Sequence, residues 1–175
     1  MMNSSGHPTP STSTAHIRPA GPDDWPVLWA ILEPVFRAGD TYAVDPDISE
    51  DEARAYWFRP GNAVSVAEID GRACGTYYMR PNQPGGGSHV ANCGFVTGTA
   101  ARGKGLARAM LEHALEAAPG AGFRAIQFNF VISTNAGAIR IWQDYGFAVV
   151  GRLPDAFRHP KDGFVDVLVM YKSLV

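Results

Sequence analysis

The sequence predicts a mixed α/β (α+β) domain, and three observations carry that prediction. An Asp-Gly pair at 70–71 separates two strand-like runs, 64–69 and 73–79, which is the pattern of an antiparallel hairpin. An apolar repeat of helical period (Leu106, Met110, Leu111, Ala114, Leu115, Ala118) precedes a β-patterned run at 124–131. A second helical segment at 135–145 and two late strands follow. Strands and helices alternating in this order need a mixed sheet with helices laid against it.

The remaining elements follow in chain order. A short strand is expected at 16–18, then a helix opening near residues 23–25 with Asp23 or Asp24 as its cap and Pro26 in its first turn. Val27, Leu28, Ile31, Leu32 and Val35 recur at helical spacing, and Pro34 is expected to kink or shorten the end. Ser49 and Glu52 form a capping-box pattern for a second helix through Trp57. Residues 81–87 read as a flexible loop and 89–96 as a strand. Pro119 and Gly120 are expected to stop the long helix, and Gly146 to close the last one. The final strands are placed at 148–153 and 165–172.

Composition narrows the function classes. The 175 residues suit one domain, placed at 16–175 behind a polar Ser/Thr/Pro/Gly tail over 1–15 that is expected to be disordered. That tail has neither the basic start nor the apolar stretch of a secretion signal. Fifteen Lys and Arg against seventeen Asp and Glu give a net charge of −2, which argues against nucleic-acid or membrane-surface partners. Two cysteines, Cys74 and Cys93, read as reduced thiols of a cytoplasmic protein. The five histidines are scattered, with no metal-ligand spacing, so no metal is expected.

The most informative segment is 94–107, where Gly98, Gly103 and Gly105 lie between a strand and a helix start. Glycines there let backbone N–H groups converge on one point, and the helix N-terminus adds partial positive charge to Arg102 and Lys104. The ligand this chemistry favours is a phosphate or pyrophosphate. An ATP-binding P-loop fails because Gly105 stands where a Ser or Thr would hold magnesium. A dinucleotide fingerprint fails because Arg108 stands where the third glycine belongs. A solvated basic turn that merely caps a helix fits the same residues.

Arg-Gly-Lys-Gly-Leu-Ala at 102–107 resembles the acetyl-CoA pyrophosphate loop of the GNAT acetyltransferases, with Ala100 in place of that family's usual Gln or Arg. A second stretch, 135–147, resembles the family's other signature: Asn135, Ala138 three residues on, an aromatic on the same helix, then Gly146-Phe147. The resemblance runs from Ile17 to the C-terminus. It implies a twisted mixed sheet of about six to seven strands flanked by about four helices and splayed between the fourth and fifth strands. Acetyl-CoA would lie in that gap, paired with Phe95, Val96 and Thr97, its pyrophosphate on Arg102, Gly103, Lys104, Gly105, Leu106 and Ala107. Asn135, Ala138 and Trp142 would line its far side. A homodimer is implied as well.

Stretches 36–42, 80–85, 88–95 and 127–131 resemble, more narrowly, the acetyltransferases of proline analogues such as L-azetidine-2-carboxylate and cis-4-hydroxyproline. In that family two asparagines on the splayed strands hold the acceptor, and the matching positions are Asn92 and Asn129. Strand alternation independently puts Ile126, Phe128 and Phe130 on one face and Gln127 and Asn129 on the other. A bond from Asn129 to a neighbouring strand or loop would equally satisfy its amide. Many family members carry a tyrosine general acid where this chain has Trp142, and indole donates only N–H. Tyr145, one turn on, is the substitute candidate, with packing against the core as the alternative. The expected activity is transfer of acetyl from acetyl-CoA to a small-molecule amine. Another small amine, a protein amine, or acetyl-CoA binding without catalysis are the alternatives.

Overall fold

The computed structural model describes residues 15–175, so of the expected tail only Ala15 is seen, as the first residue of a strand. Seven strands and four α-helices follow one another as β1 (Ala15–Pro19), α1 (Trp25–Ala38), α2 (Glu50–Trp57), β2 (Ala63–Ile69), β3 (Arg72–Pro81), β4 (Val90–Thr97), α3 (Leu106–Gly120), β5 (Ala125–Ile132), α4 (Ala136–Asp144), β6 (Ala148–His159) and β7 (Gly163–Ser173). The strands make one sheet in the order β1-β2-β3-β4-β5-β7-β6. Every neighbouring pair is antiparallel except β4 and β5, which run parallel.

The local signals act as read at most boundaries. Ser49 accepts from the Glu52 N–H while the Glu52 carboxylate accepts from the Ser49 N–H, and α2 starts there. Asp70 and Gly71 both take positive φ, 51° and 72°, as a two-residue hairpin turn requires. At the start of α1 the Asp24 carboxylate accepts from the Gly21 N–H and from the Arg18 guanidinium. That guanidinium holds the Asp24 pKa down at about 2.

Pro119 and Gly120 end α3 as expected, with the chain turning at Ala121. Two other boundaries differ. Pro34 does not shorten α1, which runs to Ala38, because Val35 and Phe36 beyond it are buried in the core. β6 does not end near Leu153: Pro154 and Asp155 (φ 51°) lie where the β6–β7 register shifts, and pairing resumes at Phe157. A bulge absorbs what looked like a strand end. The loop after β3 contains a 3-10 turn at Gly85–Gly87.

The sheet separates two apolar clusters. On one face Leu28, Leu32 and Phe36 of α1 pack with Trp57 of α2 and Tyr78 of β3. On the other, Leu106, Met110, Leu111 and Ala114 of α3 pack with Tyr77 of β3, Phe128 of β5 and Trp142 of α4. Tyr77 and Tyr78 go to opposite faces because side chains alternate along a strand. β4 and β5 pair only at Val90 with Ala125 and Ala91 with Ile126, and then part.

Candidate active site

The gap between β4 and β5 is lined by backbone on one side. At the ends of the β3–β4 ladder, Gly98 N–H donates to Cys74 C=O and Asn82 N–H to Val90 C=O. Hydrogen-bonded and non-bonded pairs alternate along an antiparallel ladder. In the observed register, Val96, Gly94 and Asn92 therefore bond to β3, while Cys93, Phe95 and Thr97 turn their N–H and C=O groups away from it. Those groups face the gap. The Tyr42 hydroxyl confirms the direction for Phe95, donating to its carbonyl at 3.0 Å.

An aromatic cluster lies on one face of the sheet where β4 and β5 part. The Phe95 and Trp142 rings lie 5.3 Å apart, Phe128 and Trp142 4.9 Å, and Phe128 stacks on Phe147 at 4.5 Å. These rings stand on the α3 face of the sheet, beside the point where β4 and β5 part. A bulge in β5 completes the opening: Phe128 pairs with Met170 and Val131 with Leu168, three residues against two. Val131 thereby takes the inward place that strict alternation assigns to Phe130. Phe130 is 39% exposed, with its ring near Phe157. The expected Ile126–Phe128–Phe130 face thus breaks at its last member.

One end of the gap is built for an anion. After a 3-10 turn at Thr99–Ala101 the chain passes through Gly103 and Gly105 at φ 76° and 78°, a conformation that costs an L side chain about 1–2 kcal/mol. The N–H groups of Gly103, Gly105, Leu106, Ala107 and Arg108 make no hydrogen bond among the described residues. They converge at the N-terminus of α3, where the helix dipole favours negative charge. A cavity of about 370 Å³ there is lined by Thr97, Arg102, Gly103, Gly105, Leu106 and Ala107. Lys104 does not line it, and its N–H donates to Ala101 C=O. A second cavity, about 330 Å³, continues along Phe95, Val96 and Thr97 to Asn135, Ala138 and Trp142. Asn135 also caps α4, its side-chain oxygen accepting from the Ala138 N–H. These residues fit a ligand with a phosphate at one end and an extended, amide-containing arm at the other.

The other end is built from side chains. A cavity of about 260 Å³ is lined by Tyr42, Tyr56, Tyr78, Arg80, Asn92, Cys93, Gly94, Asn129 and Trp142, among others. No Asp, Glu or His lines it. Gly94 is required for its shape: a Cβ there would stand 2.5 Å from the Tyr78 ring, which lies across it. Asn92 is 6% exposed, and its Nδ2 donates to Gln127 C=O across the splay at 3.0 Å. Its Oδ1 has no partner among the described residues. Asn129 is more fully engaged, donating to Asn82 Oδ1 at 2.6 Å and accepting from Gln127 Nε2 at 2.8 Å. Burial pushes the Tyr42, Tyr78 and Cys93 pKa values up, so all three stay protonated. A protonated Cys93 with no imidazole beside it is a poor nucleophile.

Tyr145 is not brought to the cavity. At the C-cap of α4 its hydroxyl donates to Glu112 on α3, with the Arg108 guanidinium over its ring. α3 is the nearer neighbour at that point of α4, so the residue one turn beyond Trp142 faces the wrong way. His89 is exposed and lines no cavity. Sequence reading assigned no role to Tyr42, Tyr78 or Arg80. The available signal was the spacing of Tyr78 and Arg80, which places both on one face of a strand.

The comparisons agree with this geometry. The model of the acetyltransferase (GNAT) family matches residues 25–147. N-acetyltransferase aca1 of Schizosaccharomyces pombe is 32% identical over 148 residues, covering 75% of this chain and 71% of its own. A GCN5-related N-acetyltransferase from Kribbella flavida superposes with a TM-score of 0.86 at 40% identity, over 91% of this chain and 97% of its own. The fold is shared with yncA of Salmonella typhimurium, solved with acetyl-CoA, at 24% identity and a TM-score of 0.77 over 93% and 95% of the two chains. No described helix is long and apolar enough to cross a membrane. An extended cleft with a backbone anion site at one end and a small polar cavity at the other is what an acetyl-CoA-dependent N-acetyltransferase needs, and this chain belongs to the GNAT acetyltransferase family.

Proposed function

We propose that the chain acetylates the ring nitrogen of a small cyclic imino acid of the proline-analogue type, such as L-azetidine-2-carboxylate. The observation that carries this reading is the cavity at the splay. It is small, walled by Tyr42, Tyr56, Tyr78 and Trp142, and free of carboxylates, and Asn92 and Asn129 reach it from the two parted strands. A protein terminus or a polyamine would need a longer groove or acidic partners. Acetyl-CoA supplies an activated thioester when bound; Arg102, the free N–H groups from Gly103 to Arg108, and the gap-facing edge of Phe95 and Thr97 would hold it.

The rest falls to this chain. Asn92 Oδ1 accepts from the acceptor's N–H and aims the nitrogen lone pair into the gap, while Asn129, braced by Asn82 and Gln127, keeps that wall rigid. Freeing the lone pair of an amine of pKa near 10 at neutral pH costs about 4 kcal/mol. Holding the two reactants in line supplies roughly 7–11 kcal/mol. Positioning outweighs proton transfer, so a site without a general base is chemically adequate. The Phe95 N–H, which the ladder turns into the gap, is a donor for developing negative charge on the acyl oxygen. Transfer is direct, with no acyl-enzyme on Cys93: the C–N bond forms as the thioester C–S bond breaks, and the amine's proton leaves with the departing thiolate as the thiol. The free thiols Cys74 and Cys93 suit the cytoplasm, and the family resemblance implies a homodimer.

Thiol release from acetyl-CoA tests the proposal, with L-azetidine-2-carboxylate and cis-4-hydroxyproline compared with primary amines. Rapid release with the cyclic imino acids is expected, falling about 10- to 100-fold in kcat/KM for Asn92→Ala. Release with primary amines alone would discard the proline-analogue reading and leave the donor site standing.

A further inference from the structure

Arg80 is the one half-buried arginine in the described residues without an anionic partner. Arg18 pairs with Asp24 and Glu68, and Arg108 pairs with Asp144. Arg80 makes no ion pair, and its Nε is buried with no hydrogen-bond acceptor. Its guanidinium carbon stands 5.9 Å from the centre of the Tyr78 ring, a cation–π contact that offsets part of the charge's desolvation. It also lines the acceptor cavity, whose walls carry no carboxylate, and it lines neither cavity at the anion loop. A guanidinium kept partly out of water with nothing to neutralise it is costly unless a ligand brings the opposite charge.

We infer that Arg80 binds a carboxylate on the acceptor, and that the enzyme selects amines carrying a carboxylate on the carbon next to nitrogen. The ladder sets the spacing. Arg80 on β3 stands opposite Asn92 on β4 as a hydrogen-bonded pair, so their Cα atoms are about 5.5 Å apart and their side chains share a face. A ligand whose nitrogen meets Asn92 Oδ1 has its neighbouring carboxylate within reach of the Arg80 fork, which matches carboxylate geometry in two parallel hydrogen bonds. A dicationic polyamine would meet Arg80 as a like charge. Arg80 acts in recognition, since the amine and not the carboxylate reacts.

This inference rests on reading the cavity as the acceptor site, and its test separates the two. Steady-state thiol release compares L-azetidine-2-carboxylate with azetidine, and alanine with ethylamine, on the wild type, Arg80→Gln and Arg80→Lys. Cyclobutanecarboxylate, which has no nitrogen, serves as a competitor. The wild type should prefer each carboxylate acceptor it uses over its decarboxylated partner. Arg80→Gln should raise KM for the carboxylate acceptor about 10- to 100-fold with kcat little changed, the worth of a charge-assisted hydrogen bond. Arg80→Lys should recover part of the loss, and cyclobutanecarboxylate should compete with the acceptor only when residue 80 is cationic. Turnover of azetidine-2-carboxylate with an unchanged KM in Arg80→Gln would overturn the role of Arg80 and leave the proposed function intact. An Arg80-dependent preference confined to alanine would do the reverse. A wild type that favours azetidine or ethylamine would overturn the inference outright.

Discussion

The two ends of the cleft are built by different means. The anion loop offers free backbone N–H groups beside Arg102, with glycines that let the chain turn. At the splay the cavity is lined by side chains from separate strands and from the α1–α2 connection, held by packing. A backbone site tolerates changes of side chain that preserve its φ angles. A side-chain site fails when any wall moves, because misplacement by about 1 Å can cost about 100-fold in rate.

Substitutions that strike one end only should expose this difference. The largest effect is expected from Gly94→Ala. Its methyl must displace the Tyr78 ring, so kcat/KM for the acceptor should fall by about 100-fold. The KM for acetyl-CoA should stay near its wild-type value, and a parallel rise in it would show that the ends are not independent. At the other end, Ala107→Pro removes one free N–H in the first turn of α3, where proline is tolerated. Acetyl-CoA KM should rise about tenfold with the melting temperature little changed. An unaltered KM would mean that Arg102 rather than the backbone holds the anion. The smallest effect belongs to Tyr145→Phe, which loses only a surface hydroxyl bonded to Glu112; turnover should stay within about twofold. A large fall in kcat would return Tyr145 to the chemistry.

The same contrast separates what was legible in the residues from what was not. Gly103 and Gly105 before an amphipathic helix announce the anion loop, since the conformation and the dipole are local properties. The Asp70-Gly71 turn and the Ser49–Glu52 cap were legible for the same reason. Misreadings arose where burial overrode a local preference: Pro34 inside α1, Pro154 inside β6, and Phe130, moved off its face by a bulge. The position of Tyr145 was not legible, because helical spacing gives a direction about the axis of α4 and says nothing of which neighbour lies there.

By itself, then, the sequence determined the order and type of the elements, the glycine loop at the head of α3, and the family. The tertiary structure decided the splay, where β4 and β5 part after two paired residues, and with it which edge of β4 is left unpaired. It also decided that, among the described residues, Asn92 Oδ1 has no partner while Asn129 is bound on both sides, and that Arg80 pairs with no carboxylate. Each of these depends on residues far apart in the chain, whose approach is set by packing rather than by any preference of the residues alone.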